Sequence, residues 1–214
     1  MVLKSISDSS DPFSGIDLHY TLRADRNNKF REEKLSRIAR SCQYILDIGR
    51  GARRDQEKFA HSDYFVLSMD PNDSPDLTAD LCNLETVQEE ESMDAVLCIA
   101  VLEHVYDPFA AVRQIHRVLK PGGKFFGYVP FLYPYHPKKG AYRDYFRYTE
   151  QGVAYLLKDF DDTEIASVRG NVTTIINLLP GSFSKLQRFF APLDRFFSNR
   201  QVSGFNFYAV KRMS

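Results

Sequence analysis

The sequence lacks several features that would place it in a specialised class of protein. No apolar run approaches the roughly 20 residues that a membrane-spanning helix needs. The N-terminus has no apolar core flanked by positive charge, so no secretory signal is expected. Its three cysteines, Cys42, Cys82 and Cys98, are odd in number and lack metal-ligand spacing. We therefore expect a cytoplasmic protein with reduced thiols and no metal site.

A net charge is also absent, because 28 basic residues balance 28 acidic ones. A general nucleic-acid binder needs a basic footprint that displaces counterions, so no nucleic-acid partner is expected. The 214 residues, of which 43% are hydrophobic, suffice for one large domain with a sizeable core.

Short apolar runs typical of buried strands alternate with helical patterns along the chain. Seven strands are predicted, over residues 44–48, 64–69, 76–78, 94–99, 124–129, 163–168 and 205–210. Helices are predicted over residues 29–41, 55–61, 84–91, 108–119 and 150–158. Asp107 followed by Pro108 is expected to start the fourth of these, with Phe109 on its buried face, and Thr149 to cap the fifth. This alternation predicts an α/β fold with a single doubly wound, mostly parallel seven-stranded sheet. Residues 1–28 are predicted to be a loose N-terminal segment, and 29–214 one domain with a helical insertion at about 171–203.

The stretch from Tyr44 to Gly51 is the strongest candidate for a ligand site. It reads as a buried strand that carries Asp47 near its carboxyl end and is followed by Gly49 and Gly51. The glycines let backbone N–H groups approach a ligand, and a helix opening after them turns its positive dipole end toward an anionic group. The pattern favours a nucleotide-type cofactor without specifying which one.

Two further acids follow successive strands, at the sheet edge where ligands of such folds bind. Asp70 lies about 20 residues beyond Gly49, where an acid accepts hydrogen bonds from ribose hydroxyls. Asp80 is placed to accept a hydrogen bond from the exocyclic amine of a base. Each acid alone is more often a turn residue, but together they favour a binding site.

In order and spacing, these motifs resemble those of the class I S-adenosylmethionine-dependent methyltransferases of the small-molecule type. The resemblance covers roughly residues 29–130. Five segments carry it: Asp47 to Gly51, Met69-Asp70, Ala79 to Leu81, Met93 to Cys98 with Val101 to Val105 and Asp107-Pro108, and Leu119 to Lys124. A dinucleotide fingerprint is disfavoured, because it needs glycine at position 54, which is Arg54 here.

The resemblance implies S-adenosylmethionine as cofactor and a methyl transfer to an oxygen or nitrogen of a small molecule by direct in-line displacement. It implies cofactor contacts from Asp47, Gly49, Gly51, Asp70, Asp80, Leu81, Cys98, Ile99 and His104. One position departs from the family, since many members carry a third glycine where this chain has Arg53. A non-catalytic module that binds the cofactor with the same fold is therefore the alternative.

Catalytic candidates are fewer. His136 is the sole histidine of the aromatic loop 131–148, and its imidazole suits a general base for a hydroxyl or amine. A histidine that only hydrogen-bonds within the loop is the alternative. His104 is predicted to lie near the methyl group, where it either acts in catalysis or packs at a helix start. Asp144 and Arg147 are expected to pair and hold the loop.

The insertion carries an apolar stripe with helical spacing, interrupted by Pro192, which would kink or split the helix. Its members are Phe183, Leu186, Phe189, Phe190, Leu193, Phe196 and Phe197. Such stripes usually pack on the protein's own body or on a second subunit of a homodimer; a lid, or contact with an anionic membrane surface, is the less frequent alternative. The stripe and the aromatic loop favour a small-molecule acceptor that carries a ring, a sugar or a lipid.

Overall fold

The computed structural model describes residues 20–25, 28–179, 186–196 and 201–213. Its strands form one sheet of eight in the order β1-β7-β8-β6-β5-β2-β3-β4. They are β1 (Tyr20–Asp25), β2 (Tyr44–Ile48), β3 (Asp63–Ser68), β4 (Leu77–Thr78), β5 (Met93–Ile99), β6 (Leu119–Pro130), β7 (Asp161–Val168) and β8 (Gly204–Val210). Strand β8 runs antiparallel to β6 and β7, whereas the other pairs are parallel. The predicted α/β fold with a mostly parallel sheet is confirmed.

All seven predicted strands are present, and β1 adds an eighth from the segment predicted to be loose. Strand β1 pairs with β7 at one edge, with Tyr20 opposite Thr163. Sequence analysis missed it because the six residues are polar overall. Apolar and polar residues nevertheless alternate from Tyr20 to Asp25 with the period of a half-buried strand. Residues 1–19 and 26–27 of that segment lie outside the described residues.

Helices cover both faces of the sheet. They are α1 (Lys29–Ser41), α2 (Pro108–Val118), α3 (Glu150–Leu156), α4 (Asn171–Leu178) and α5 (Gln187–Phe190). Strand β5 shows the two layers, since Ala95 and Leu97 point to the α1 side and Val96 and Cys98 to the α2 side. Burial on both faces is why its sequence is a continuous apolar run.

The predicted helix caps are confirmed. Asp107 accepts a hydrogen bond from the N–H of Ala110 at 2.9 Å and precedes Pro108 at the start of α2. Thr149 caps α3 through the N–H of Gly152 at 3.1 Å. Phe109, predicted to belong to the buried face of α2, is instead 42% exposed. Its ring packs edge-on against Tyr155, with 5.6 Å between the ring centroids.

Two predicted helices, over 55–61 and 84–91, are wrong in kind. Short 3₁₀ turns stand there, at Gln56–Phe59 and Leu81–Thr86. In the second, Leu81 and Leu84 are both buried, and Asn83 between them has the non-helical angles φ −144° and ψ 57°, which kink the segment. The first consists of only four residues before β3. No long helix dipole therefore points at the glycine turn in this part of the chain.

Candidate functional site

A cavity of about 1620 Å³ opens at the carboxyl ends of β2, β3 and β5. Ligand pockets for one drug-sized molecule usually measure about 300–1,000 Å³, so this cavity has room for a cofactor and a second molecule. The predicted site residues Gly49, Gly51, Asp70, Asp80, Ile99 and His104 line it. The carboxyl ends of neighbouring parallel strands bring these residues together, as sequence analysis expected.

The glycine turn forms one wall of the cavity. Gly49 has φ +100°, and a Cβ added there would lie 2.4 Å from Cγ2 of Val101. Its N–H donates to the carbonyl of Leu67 at 2.8 Å, which ties the turn to β3. A Cβ added to Gly51 would meet no atom within 4 Å, because this residue faces the open cavity. Glycine is thus required for the fold at the first position and leaves room for a ligand at the second.

The carboxylate of Asp47 holds this turn in place through hydrogen bonds. It accepts hydrogen bonds from the N–H of Arg53, at 3.0 Å, and from the hydroxyl of Tyr64. Arg53 adopts φ +75°, a left-handed conformation that glycine takes without strain. Its guanidinium lies 3.3 Å from Asp76. The departure at Arg53 therefore keeps the loop's backbone shape, and its side chain contributes an ion pair on the surface.

Burial raises the pKa of Asp47 to about 6, and this has a consequence for stability. Between its ordinary pKa of 3.8 and about 6, the folded state holds a proton that the unfolded chain has released. We expect this group to stabilise the fold below pH 4 and to lose that contribution, about 3 kcal/mol, as the pH rises through 6. Denaturant unfolding of wild type and Asp47→Asn at several pH values measures it. Identical pH profiles would contradict the expectation.

Asp70 and Asp80 are both held by their own turns. Asp70 accepts from the N–H of Asn72 at 3.0 Å and from its side-chain amide at 2.7 Å, in both cases at Oδ1. These bonds lower the pKa of Asp70, so it stays ionised and can accept further hydrogen bonds at Oδ2. Asp80 accepts from the N–H of Cys82 at 2.9 Å and from the hydroxyl of Tyr106 at 3.2 Å.

One predicted cofactor contact does not fit the structure. Leu81 and Ile99 line the cavity, but Cys98 is fully buried in the core and does not. Alternation along β5 turns its side chain into the α2 layer. Burial also raises the pKa of the Cys98 thiol well above its ordinary value.

The aromatic loop covers the other half of the cavity. Asp144 and Arg147 pair as predicted, with 2.8 Å between Oδ2 and Nη2, and this guanidinium lowers the pKa of Asp144 to about 2. Asp144 also accepts from the backbone N–H of His136 at 2.8 Å. Arg147 donates to the carbonyls of Tyr133 and Pro134. The pair therefore fixes the backbone around His136, which lines the cavity beside His104.

Sequence analysis missed Glu103, which lies between these histidines. Its side chain is only 1% exposed, and its Oε2 has no hydrogen bond within the described residues. Burial raises the pKa of Glu103 to about 7. Its Oε1 lies 3.9 Å from Nε2 of His104 and 3.8 Å from Nε2 of His136. The sequence signal that could have identified Glu103 is its position as an acid next to His104, in a segment whose other neighbours are apolar.

Of the two predicted ways of covering the apolar stripe, the protein's own body does not bury its described part. Pro192 does split the segment, since α5 ends at Phe190 and a 3₁₀ turn spans Ala191–Phe196. The stripe members that the structure describes, Leu186, Phe189, Phe190, Leu193 and Phe196, are all exposed. Phe183 and Phe197 lie outside the described residues. None of the described helices is both long and apolar enough to cross a bilayer.

A parallel sheet with a ligand cavity at its carboxyl edge and one antiparallel strand, β8, is the Rossmann-like fold of class I methyltransferases. Residues 46–127 match a family described as "Methyltransferase domain". Over these residues the chain is similar to the S-adenosylmethionine-dependent methyltransferases, whose fold it also has.

Known proteins resemble this chain over different lengths. The ubiquinone biosynthesis O-methyltransferase of Pseudomonas entomophila is 31% identical over 105 residues, which make up 42% of this chain and 45% of that protein. The match thus spans less than half of that relative. A SAM-dependent methyltransferase from Archaeoglobus fulgidus superposes with a TM-score of 0.54 at 15% identity, over 85% of this chain and 94% of the other. The [4+2]-cyclase SpnF gives 0.54 at 13% identity, over 90% and 86%. At these identities the two structures establish the fold.

Proposed function

We propose that this protein transfers the methyl group of S-adenosylmethionine to an oxygen or nitrogen atom of a small molecule. The cavity beyond β2, β3 and β5 carries the proposal, because the glycine turn and two acids meet there in the arrangement that the cofactor needs. Gly51 leaves room on its cavity side for a bound molecule. The residues present therefore fit the cofactor.

Each part of the site has a role in binding. Asp70, ionised and with Oδ2 available, accepts hydrogen bonds from the ribose hydroxyls. Asp80 and Leu81 contact the base, and the backbone of the Gly49 turn approaches the amino-acid end of the cofactor. Asp47 lies beneath that end and balances its positive ammonium when ionised. The bound cofactor supplies a methyl group that its sulfonium already activates.

The other half of the cavity is suited to an organic acceptor. Tyr128, Tyr133, Tyr142 and Tyr145 line it together with His104 and His136. Aromatic walls with a few polar groups bind ring-bearing, sugar-linked or lipid-linked molecules. The likeness to a ubiquinone biosynthesis O-methyltransferase favours a hydroxyl as the accepting group. The loop holds the accepting atom in line with the methyl group and excludes water. Such positioning lowers the activation barrier of the transfer by roughly 7–11 kcal/mol.

The acceptor half of the cavity carries groups that can take the acceptor's proton. Glu103, His104 and His136 form the concentration of lone pairs on this side of the cavity. His136 as general base, the role that sequence analysis predicts, is one way to remove the proton. An acceptor that is already ionised would need no base.

Calorimetry with S-adenosylmethionine and S-adenosylhomocysteine tests the proposal, together with mass spectrometry of methylated products from a panel of phenols, sugars and lipid-linked alcohols. We expect binding of one cofactor per chain and a product whose amount grows with protein concentration. A well-folded protein that binds neither form of the cofactor would refute the assignment.

The second candidate is a cofactor-binding module without methyl transfer. The common fold with the [4+2]-cyclase SpnF favours it, because the fold alone does not fix the reaction. It predicts cofactor binding with no product from any member of the panel. A single acceptor that is methylated in proportion to protein concentration would exclude it.

A further inference from the structure

The protonation of two histidine rings in the cavity follows from their hydrogen bonds. Nδ1 of His104 lies 2.6 Å from the carbonyl oxygen of Arg143, and Nδ1 of His136 lies 2.9 Å from that of Pro134. A carbonyl oxygen only accepts, so each Nδ1 carries the hydrogen. In the neutral ring the other nitrogen, Nε2, then bears a lone pair.

These two lone pairs converge on a third acceptor. Nε2 of His104 and Nε2 of His136 lie 3.9 and 3.8 Å from Oε1 of Glu103, and the three ligand atoms all lie within 4.8 Å of one another. The other oxygen of this buried carboxylate has no hydrogen bond in the described part of the chain. Glu103 is buried, whereas His104 and His136 line the cavity, so a cation seated between the three atoms would satisfy the unpaired carboxylate and both lone pairs.

We infer that Glu103, His104 and His136 bind a divalent metal ion of the first transition row. Two imidazoles and one carboxylate form a facial donor set that leaves coordination positions open. Ligand atoms about 2.1 Å from a tetrahedral ion lie roughly 3.4 Å apart, so the two separations from Glu103 need to close by about half an ångström and the one between the histidine nitrogens by about 1.4 Å at most.

The surroundings of the cluster fit this role as well. Metal-bound histidines almost always donate their other N–H to a carbonyl or a carboxylate, which fixes the ring. Both rings do so here, and the Asp144–Arg147 pair holds the loop that carries His136. Sequence analysis predicted no metal site, because it considered the spacing of the cysteines, whereas the ligands here are adjacent Glu103 and His104 and the distant His136.

The ion would also activate the acceptor, a role that rests on the proposed function. Its open positions face the acceptor half of the cavity, which His104 and His136 line. A hydroxyl oxygen bound to such an ion releases its proton to water at a lower pH than a free one, and keeps the electron pair that attacks the methyl group. His136 is then a ligand and not the general base, because its Nε2 lone pair binds the metal.

Titration of chelator-treated protein with Co²⁺, followed by visible absorption, tests metal binding without any methyl transfer. We expect one ion per chain and displacement of Co²⁺ by Zn²⁺. His136→Ala should weaken binding at least tenfold, and Glu103→Gln should do the same. The matched control is His61→Ala, which removes an exposed histidine far from the cluster and should leave the affinity unchanged.

Two results would overturn the inference. One is the absence of saturable Co²⁺ or Zn²⁺ binding to folded wild type, in which case protons fill the cluster and His136 is free to act as a base. The other is a loss of affinity in His61→Ala equal to that in His136→Ala. Thermal unfolding without metal establishes that each variant is folded. Neither readout involves the cofactor, so failure of the methyltransferase proposal would leave this result intact.

Discussion

Replacing Asp70 with alanine is expected to weaken binding of S-adenosylhomocysteine by roughly a hundredfold or more. A ribose places two hydroxyls against this carboxylate, and hydrogen bonds to charged groups are worth about 1.5–3 kcal/mol each. In the part of the chain that the structure describes, the partly exposed carboxylate accepts hydrogen bonds from Asn72 alone, so its removal should cost the fold little. Isothermal titration calorimetry gives the affinity, and a thermal unfolding curve shows whether the variant is folded.

Asp63→Ala is the matched control. Asp63 begins the strand that Asp70 follows, at the opposite edge of the sheet, where its carboxylate accepts from the side chain of Gln43 at 3.1 Å. Asp63→Ala removes the same charge as Asp70→Ala, but at the other end of β3 and without changing the cavity. An affinity that falls equally in both variants would mean that Asp70 acts only through overall charge, and would remove it from the ribose site.

Gly49→Ala is expected to destabilise the fold by about 3 kcal/mol. A side chain at φ +100° is strained, and its Cβ would lie 2.4 Å from Cγ2 of Val101, a contact that forces the two segments apart. Because these segments form one wall of the cavity, cofactor binding should be lost as well. Denaturant unfolding with linear extrapolation measures the change in the free energy of unfolding.

Two further variants separate the effect of backbone strain at Gly49 from the effect of the clash with Val101. Gly51→Ala should leave the free energy of unfolding within about 1 kcal/mol of wild type, because its Cβ meets no protein atom, yet should weaken the cofactor's binding. Adding Val101→Ala to Gly49→Ala should recover the part of the loss that comes from the clash. A double variant as unstable as Gly49→Ala alone would assign the whole effect to backbone strain.

The fold was predictable where one local pattern dominates. Continuous apolar runs gave the central strands, and Asp107 with Pro108 gave the start of α2. The turns at Gln56–Phe59 and Leu81–Thr86 were not, because their helical composition competes with short connections and with the burial of Leu81 and Leu84. Composition says little about how much chain is available between two strands.

The site divides in the same way. Asp47, Asp70 and Asp80 were predictable because parallel strands bring their carboxyl ends to one edge. The convergence of Glu103, His104 and His136 was not, since it depends on the path of an irregular loop and on which ring nitrogen meets a carbonyl. The exposure of the stripe around Phe189 was missed for another reason: periodicity shows that residues share a face, but not whether anything covers it.

Strand β1 closes an edge that would otherwise invite association. Without it, the backbone groups of β7 would present an unpaired row to any other extended chain. The pairing joins Tyr20 to Thr163, far apart along the chain, so it cannot form before β7 has been synthesised. During synthesis the strand that protects this edge is therefore present long before the edge itself exists.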